Sequence, residues 1–342
     1  MKKVLVTGGA GYIGAHACKV LARAGYIPVT FDNLSTGWEH SVKFGPFEKG
    51  DIADRARLDD VFVRHAPVAV MHFAAFSQVG EAMHDPGKYW RNNTCGSLTL
   101  IEAAVEAGCL DFVFSSTCAI YGEQDGVALH EDCAQAPLNA YGASKRAIED
   151  MLRDFGVSHG LKSVIFRYFN VAGGDPETEV GECHIPETHL IPIMLEALDG
   201  KRPELIIFGT DYDTPDGTCI RDYIHVMDLA QAHFLGVEWL AEGKGSRVFN
   251  LGSGTGYSVR EVMERAAVVT GRHVPFIEGS RRAGDAVTLI SGSLRAEREL
   301  GWIPQYATLD KMIEDAWRWY QTSSVKVSGT TYVGAARRAR TY

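Results

Sequence analysis

No two of the seven cysteines (Cys18, Cys95, Cys109, Cys118, Cys133, Cys183 and Cys219) form a C-x-x-C pair, and their number is odd. That excludes a disulfide framework and fits the reduced thiols of a cytoplasmic protein. No apolar run approaches the ~20 residues of a membrane-spanning helix, and no signal-peptide pattern precedes the first strand. No internal repeat is present. Positive charge is in deficit, with 34 Lys+Arg against 43 Asp+Glu and a net charge of −9. This argues against non-specific binding to nucleic acid or an acidic membrane, while leaving room for a local basic pocket. Hydrophobic residues make up 46% of the 342, which implies one large or two modest domains with a sizeable core.

What is present begins with a strand at residues 4–6, all apolar as in a parallel sheet covered on both faces. It runs into Thr7-Gly8-Gly9-Ala10-Gly11-Tyr12-Ile13-Gly14 and then a helical pattern over 15–24. Gly8, Gly11 and Gly14 let the backbone turn tightly and approach a pyrophosphate at a helix N-terminus. A second strand, 27–31, ends in Asp32, where a carboxylate accepts hydrogen bonds from an adenosine ribose and favours NAD over its 2′-phosphorylated form. A buried strand over 68–75, ending in Ala74 and Ala75, opens into a small-residue loop that can pass close to a cofactor; His72 reads as a core histidine. A helix over 90–107 carries Asn92 and Asn93. Strand 112–114 ends in Ser115, Ser116 and Thr117, where parallel sheets place their ligand crevice. The strand–helix alternation predicts right-handed crossovers and an α/β, doubly wound parallel sheet of the Rossmann type.

Tyr141 and Lys145 stand four residues apart at the head of a helical segment over 144–156, so phenol and ammonium share a face. A nearby cation favours the phenolate, which makes Tyr141 a candidate acid/base. A strand over 163–168 follows. From residue 174 the texture changes to irregular Gly/Pro/Asp stretches and short helices, predicting a smaller mixed α/β lobe over 174–322. The first domain is expected at 1–173, with later elements supplied from 220–255, and a flexible tail at 323–342. The second lobe's Arg221, Arg281 and Arg282 are candidates for phosphate oxygens. Cys183-His184 with His189 fits no standard ligand spacing and shows no fourth ligand, so no metal is expected.

Together, residues 4–14, Asp32-Asn33-Leu34, Gly50-Asp51-Ile52, residues 72–75, Val79-Gly80-Glu81, Asn92-Asn93, residues 114–122 and Tyr141 to Lys145 resemble the extended short-chain dehydrogenase/reductase family. Arg167-Tyr168-Phe169-Asn170, residues 217–226 and residues 281–285 narrow the resemblance to its nucleotide-sugar 4-epimerases. It covers roughly residues 2–320. The resemblance implies reversible C4 epimerisation of UDP-glucose and UDP-galactose through a 4-keto sugar, with tightly bound NAD. It makes Tyr141, Lys145 and Thr117 catalytic, Thr117 standing where Ser is usual. It gives NAD to Gly8, Gly11, Tyr12, Ile13, Gly14, Asp32, Asn33, Asp51, Ile52, Phe73, Ala74, Ala75, Asn93, Ser115 and Tyr168, besides Tyr141 and Lys145. It gives the UDP-sugar to Thr117, Tyr141, Asn170, His189, Leu190, Phe208, Arg221, Arg282, Asp285 and Leu289. His189 replaces an Asn of some members and Ser77 a Lys. Homodimers joined through helices 90–107 and 141–156 are expected. Dehydratases on this scaffold carry an Asp-Glu pair where this chain has Cys118-Ala119. The remaining alternatives are a 4-epimerase of UDP-xylose/arabinose, UDP-glucuronate or UDP-N-acetylglucosamine, and a non-catalytic NAD-sensing protein.

Overall fold

The computed structural model describes residues 1–124, 128–282 and 285–327. Ala283 and Gly284 of the arginine-bearing run, and residues 328–342 of the tail, lie outside the described residues.

The first half alternates strand and helix. In chain order it contains β1 (Lys3–Thr7), α1 (Tyr12–Arg23), β2 (Ile27–Asp32), β3 (Phe47–Lys49), α2 (Arg55–His65) and β4 (Ala69–His72). Then come α3 (Val79–His84), α4 (Pro86–Tyr89), α5 (Gly96–Glu106), β5 (Asp111–Ser115), α6 (Ala140–His159) and β6 (Lys162–Tyr168). The helix expected over 90–107 is a π-helical stretch, Trp90–Cys95, joining α4 to α5. The α6 helix starts earlier than its apolar periodicity, because the Asn139 carboxamide accepts the Gly142 N–H at 2.9 Å and caps the first turn. Tyr141 therefore sits in that first turn.

The second half contains β7 (Asn170–Ala172), α7 (Leu190–Leu198), β8 (Leu205–Phe208), β9 (Ile220–His225), α8 (Val226–Ala241) and β10 (Arg247–Leu251). It ends with β11 (Gly256–Ser258), α9 (Val259–Thr270), β12 (Phe276–Gly279), β13 (Thr288–Leu289) and α10 (Leu309–Val327), which extends into the stretch read as tail. The main sheet runs β10-β6-β5-β4-β1-β2-β3, and every pairing in it is parallel. β10 and α8 thus come from beyond residue 220 to complete the layer begun by β1.

Alternation along β1 explains its apolar run. Val4 and Val6 pack with Leu21 of α1 and Leu229 of α8, whereas Leu5 packs with Leu58 of α2, Leu100 of α5 and Ile148 of α6. Both sheet faces are covered, so neither can be polar. A third core joins α7, α9 and α10 around Met194, Val262 and Ile313. Here β9 pairs with β7, β11 and β13, and β8 with β12. No helix among the described residues is long and apolar enough to cross a membrane.

Three histidines are buried in these layers without a counter-charge bonded to them. Burial lowers His72 to about 3, and His16 and His233 to about 4. His72 is satisfied instead by Thr7 Oγ1 (2.6 Å) and Ser97 Oγ (2.7 Å), as a core histidine should be. Each group is neutral in the fold yet binds a proton near 6.5 once unfolded. The unfolded state therefore takes up more protons below that pH, and stability falls as pH drops from 6.5 towards 4. The slope is about 1.4 kcal/mol per pH unit for each histidine. Urea unfolding at pH 7 and pH 5 checks this; equal stability at both would contradict it.

Candidate active site

The strand order reverses between β1 and β4, so the crevice opens at their C-terminal ends, Thr7 and His72. Gly8 leaves β1 with φ +72°, and a Cβ there would stand 2.6 Å from Ala74 N. A Cβ on Gly14 would stand 2.2 Å from Gly8 O. Only glycine permits this close packing of the turn against the β4 loop. Gly11 caps α1 with no side-chain hydrogen bond, and the first turn carries no acidic residue. The helix dipole and its free N–H groups are left for an anion from elsewhere.

Asp32 closes the other side. Its carboxylate accepts from Ala10 N (3.0 Å) and Leu34 N (2.8 Å), one bond per oxygen, which leaves lone pairs over. Asn33 donates to Asp51 Oδ2 at 2.9 Å, and Ile52 is buried beneath Gly96. Tyr12 donates its hydroxyl to Gly173 O at 2.6 Å, tying the glycine turn to the end of β7. Phe73 packs against His233. Asn93 is fully buried, its carboxamide bonded to both the N–H and C=O of Phe76 (2.9 Å each) and to Ser144 Oγ (3.2 Å). It braces the β4 loop against α6. These residues line one crevice: glycines where backbones meet, an uncapped helix end open to an anion, and a carboxylate with lone pairs to spare.

At the end of β5, Ser115 Oγ meets Tyr168 OH at 2.7 Å, and Thr117 accepts Ala119 N at 3.1 Å. Thr117 also lies close enough to the Tyr141 phenol to favour its ionised form. Tyr141 and Lys145 lie side by side in α6 and are both buried. Lys145 is not among the largest influences on the phenol. Burial holds the Tyr141 pKa well above its ordinary value, neighbouring Tyr168 adds to this, and Thr117 opposes it. The Lys145 ammonium instead donates to Ser115 O at 2.8 Å and sits 4.9 Å over the Phe114 ring. Burial lowers it to about 7, and Glu149 works against that.

Beneath these groups lies a network the sequence reading missed. Ser116 Oγ donates to Glu149 Oε1 (2.5 Å), and Arg167 grips Glu149 through Nε (3.1 Å) and Nη2 (2.6 Å). Arg167 Nη1 also donates to Tyr121 OH and Glu131 O, both at 3.0 Å. The available signal was spacing: Glu149 follows Lys145 by four, on the same face of α6.

The second lobe presents the other expected residues. Arg221 pairs with Leu289 across β9 and β13, and its Nη1 donates to Ile220 O at 2.8 Å. Leu289 packs against the cluster of Cys118, Ile120, Tyr121, Leu129 and Phe169. Asn170 opens β7 opposite Tyr223. Arg282 lies 4.8 Å over the Phe208 ring and donates to Asp285 Oδ2 at 2.9 Å, whereas Arg281 turns to Asp211 and Tyr212. Leu190 starts α7 with His189 as its N-cap. His184 and His189 converge on Glu182 and Glu187, two glutamates to which the sequence reading gave no part. Burial lowers the two histidines, but these carboxylates outweigh it and raise them to about 9 and about 10.

A model of the NAD dependent epimerase/dehydratase family matches residues 4–252, from β1 through the edge strand β10. The chain belongs to that family. Within the NAD dependent epimerase/dehydratase family it is 52% identical to UDP-glucose 4-epimerase of Rhizobium meliloti (strain 1021), over 93% of this chain and 96% of that one. The crystal structure of UDP-glucose 4-epimerase from Brucella ovis in complex with NAD superposes with a TM-score of 0.90 at 48% identity. The alignment covers 93% of this chain and 98% of that one. The UDP-glucose 4-epimerase of Stenotrophomonas maltophila, with bound NAD and formylated UDP-arabinopyranose, gives a TM-score of 0.91 at 37% identity. It covers 95% of this chain and all of that one (100%).

Proposed function

We propose that this protein reversibly epimerises C4 of a UDP-hexose, interconverting UDP-glucose and UDP-galactose through a 4-keto sugar. The observation that carries the reading is the burial of Tyr141, Lys145 and Thr117 together at the edge of the glycine-turn crevice. Residues 1–173, with those near 220–255, hold NAD, and the 174–322 lobe holds the nucleotide sugar. NAD, when bound, supplies reversible hydride acceptance at C4 and a positive charge beside the phenol.

The chain's own residues handle the proton and the position of the sugar. Tyr141 would take the 4-OH proton as the phenolate, a form that burial alone disfavours and that a positive charge beside it would restore, and would return it after the keto sugar has turned over. Thr117 holds the 4-oxygen, its methyl limiting the hydroxyl rotamer. Lys145, fixed on Ser115 O, keeps N–H groups for the nicotinamide ribose. The pyrophosphate falls to Gly8, Gly11, Tyr12, Ile13 and Gly14, the adenosine to Asp32, Asn33, Asp51 and Ile52. The remaining contacts fall to Phe73, Ala74, Ala75, Ser115 and Tyr168, with Asn93 acting through the loop it braces. Asn170, His189, Leu190, Phe208, Arg221, Arg282 and Asp285 receive the UDP. Dehydration is disfavoured by chemistry: burial pushes the Cys118 thiol up to about 12, and Ala119 has no titratable group.

The test is to incubate the purified protein, without added NAD, with a panel of UDP-sugars and look for C4 epimers by NMR. Conversion of UDP-galactose supports the reading, and no conversion of any UDP-sugar overturns it. Leu289, which the family resemblance puts beside the sugar, packs against the cluster around Cys118 and Phe169, so UDP-N-acetylglucosamine should turn over at least about tenfold less efficiently than UDP-glucose; one extra group in a filled pocket is worth ~1–3 kcal/mol. Equal kcat/KM for the two sugars would sink that assignment. We further place the enzyme in the cytoplasm as a homodimer. The helices from Pro86 to Glu106 and α6 expose Trp90 and Val157, apolar surface that suits a partner. Light scattering on the eluted protein checks the dimer.

A further inference from the structure

Residues 182–189, between β7 and α7, bring two carboxylates and two imidazoles to one point. Glu182 Oε1 lies 2.8 Å from His189 Nδ1 and 3.2 Å from His184 Nδ1. Glu187 Oε1 lies 3.1 Å from His189 Nδ1, and its Oε2 lies 3.7 Å from His184 Nδ1. One donor atom from each of the four falls within 4.8 Å of the others. Ligands bound tetrahedrally at ~2.0–2.2 Å from an ion stand roughly 3.3–3.6 Å apart. The observed spacings straddle that value, so an ion needs only small side-chain adjustments.

The backbone carrying these groups is held from outside. Trp38 Nε1 donates to Cys183 O and Trp319 Nε1 to Glu182 O, both at 2.8 Å. A Cβ on Gly181 would meet the Trp319 ring at 2.3 Å. The carboxylates are nearly water-free, with side-chain exposures of 8% for Glu182 and 6% for Glu187. Two such charges side by side need compensation. The neighbouring cluster of Asp175, Glu177 and Glu179 finds it in Lys19, whose Nζ reaches all three. Among the described residues no lysine or arginine pairs with Glu182 or Glu187; their partners are the imidazoles of His184 and His189, whose protons an ion would displace.

We propose that Glu182, His184, Glu187 and His189 form a divalent transition-metal site with a preference for zinc. Two carboxylates cancel the ion's charge, and two neutral imidazoles complete a donor set of oxygen and nitrogen suited to Zn²⁺ over Mg²⁺. Four protein ligands leave no open position, so the site is structural. It fastens the approach to α7 against the first lobe, where the His184 ring stands edge-on to Tyr12 of the glycine turn at 6.4 Å. Ligation through Nδ1 leaves His189 Nε2 for the substrate's phosphates.

The protein, NAD retained, is stripped with dipicolinate, desalted, and titrated with Zn²⁺ against a chromophoric chelator. One equivalent should bind, and His184→Ala and Glu187→Gln should each weaken it at least about hundredfold, a ligand mattering more than the ~10–100-fold of an outer-sphere partner. Co²⁺ should give the visible bands of a four-coordinate site without a thiolate charge-transfer band. Zn²⁺ should raise the Tm of the parent and not of the variants. Glu182→Gln, which keeps the carbonyl bound by Trp319, serves if His184→Ala does not fold. Absence of a stoichiometric site, unchanged affinity in the variants, or a thiolate band that points to cysteine ligation overturns the proposal.

Discussion

Tyr141→Phe should retain NAD and the parent's Tm while kcat falls about 10²–10⁴-fold, the range expected for one positioned proton carrier. The ring itself packs with Ala82 and Tyr89 and stands edge-on to Tyr89 at 6.4 Å, all of which Phe reproduces. What disappears is the phenol oxygen near Thr117. On the proposed assignment of the nucleotide to the other lobe, KM for the UDP-sugar should change far less than kcat. Single-turnover measurements on the NAD-loaded variant check this. A kcat within tenfold of the parent would remove Tyr141 from the mechanism, and a protein that used its cradle only to sense NAD would show that indifference.

Arg167→Met should be the most damaging single change to stability. Arg167 and Glu149 are buried together, 4% and 7% exposed, with the carboxylate gripped by two nitrogens. Removing the guanidinium strands Glu149 in a low-dielectric site with Ser116 as its remaining side-chain donor. Breaking such a pair costs about 3–5 kcal/mol, on the order of 10 °C in Tm. Tyr121 OH and Glu131 O also lose a donor. The double change Glu149→Gln with Arg167→Met should recover part of the loss, because no unpaired charge remains. Urea and thermal unfolding of both variants decide it; a double variant no better than the single would show that shape, not charge, governs the site.

The first lobe was legible because burial on both faces makes each strand a short apolar run, and because glycines at Gly8, Gly11 and Gly14 have one economical explanation. The second lobe hid its strands. β8 alternates buried and exposed over four residues, β12 is largely exposed, and β13 has two residues, too few for a period to show. β9 carries Arg221, Asp222 and His225. Asp222 is tolerable there because Ser253, Gly254 and Ser291, distant in sequence, donate to it. In the site, spacing put Tyr141 and Lys145 on one face, but only coordinates could send the ammonium to Ser115 O. Helical spacing likewise cannot reveal that Glu149 meets an arginine from β6, or that two glutamates close on His184 and His189.

The late arrival of β10 has a consequence for how the chain is made. When a ribosome has released only the first 173 residues, β6 is an open edge, its backbone N–H and C=O groups exposed in the middle of a growing sheet. The strand that closes it is synthesised about seventy residues later, after the whole stretch containing α7 and β8. The nucleotide-binding layer is therefore finished from its far side, by chain that has already travelled through the other lobe. A gene truncated at the apparent lobe boundary encodes an unfinished sheet prone to self-pairing, not a smaller cofactor-binding protein.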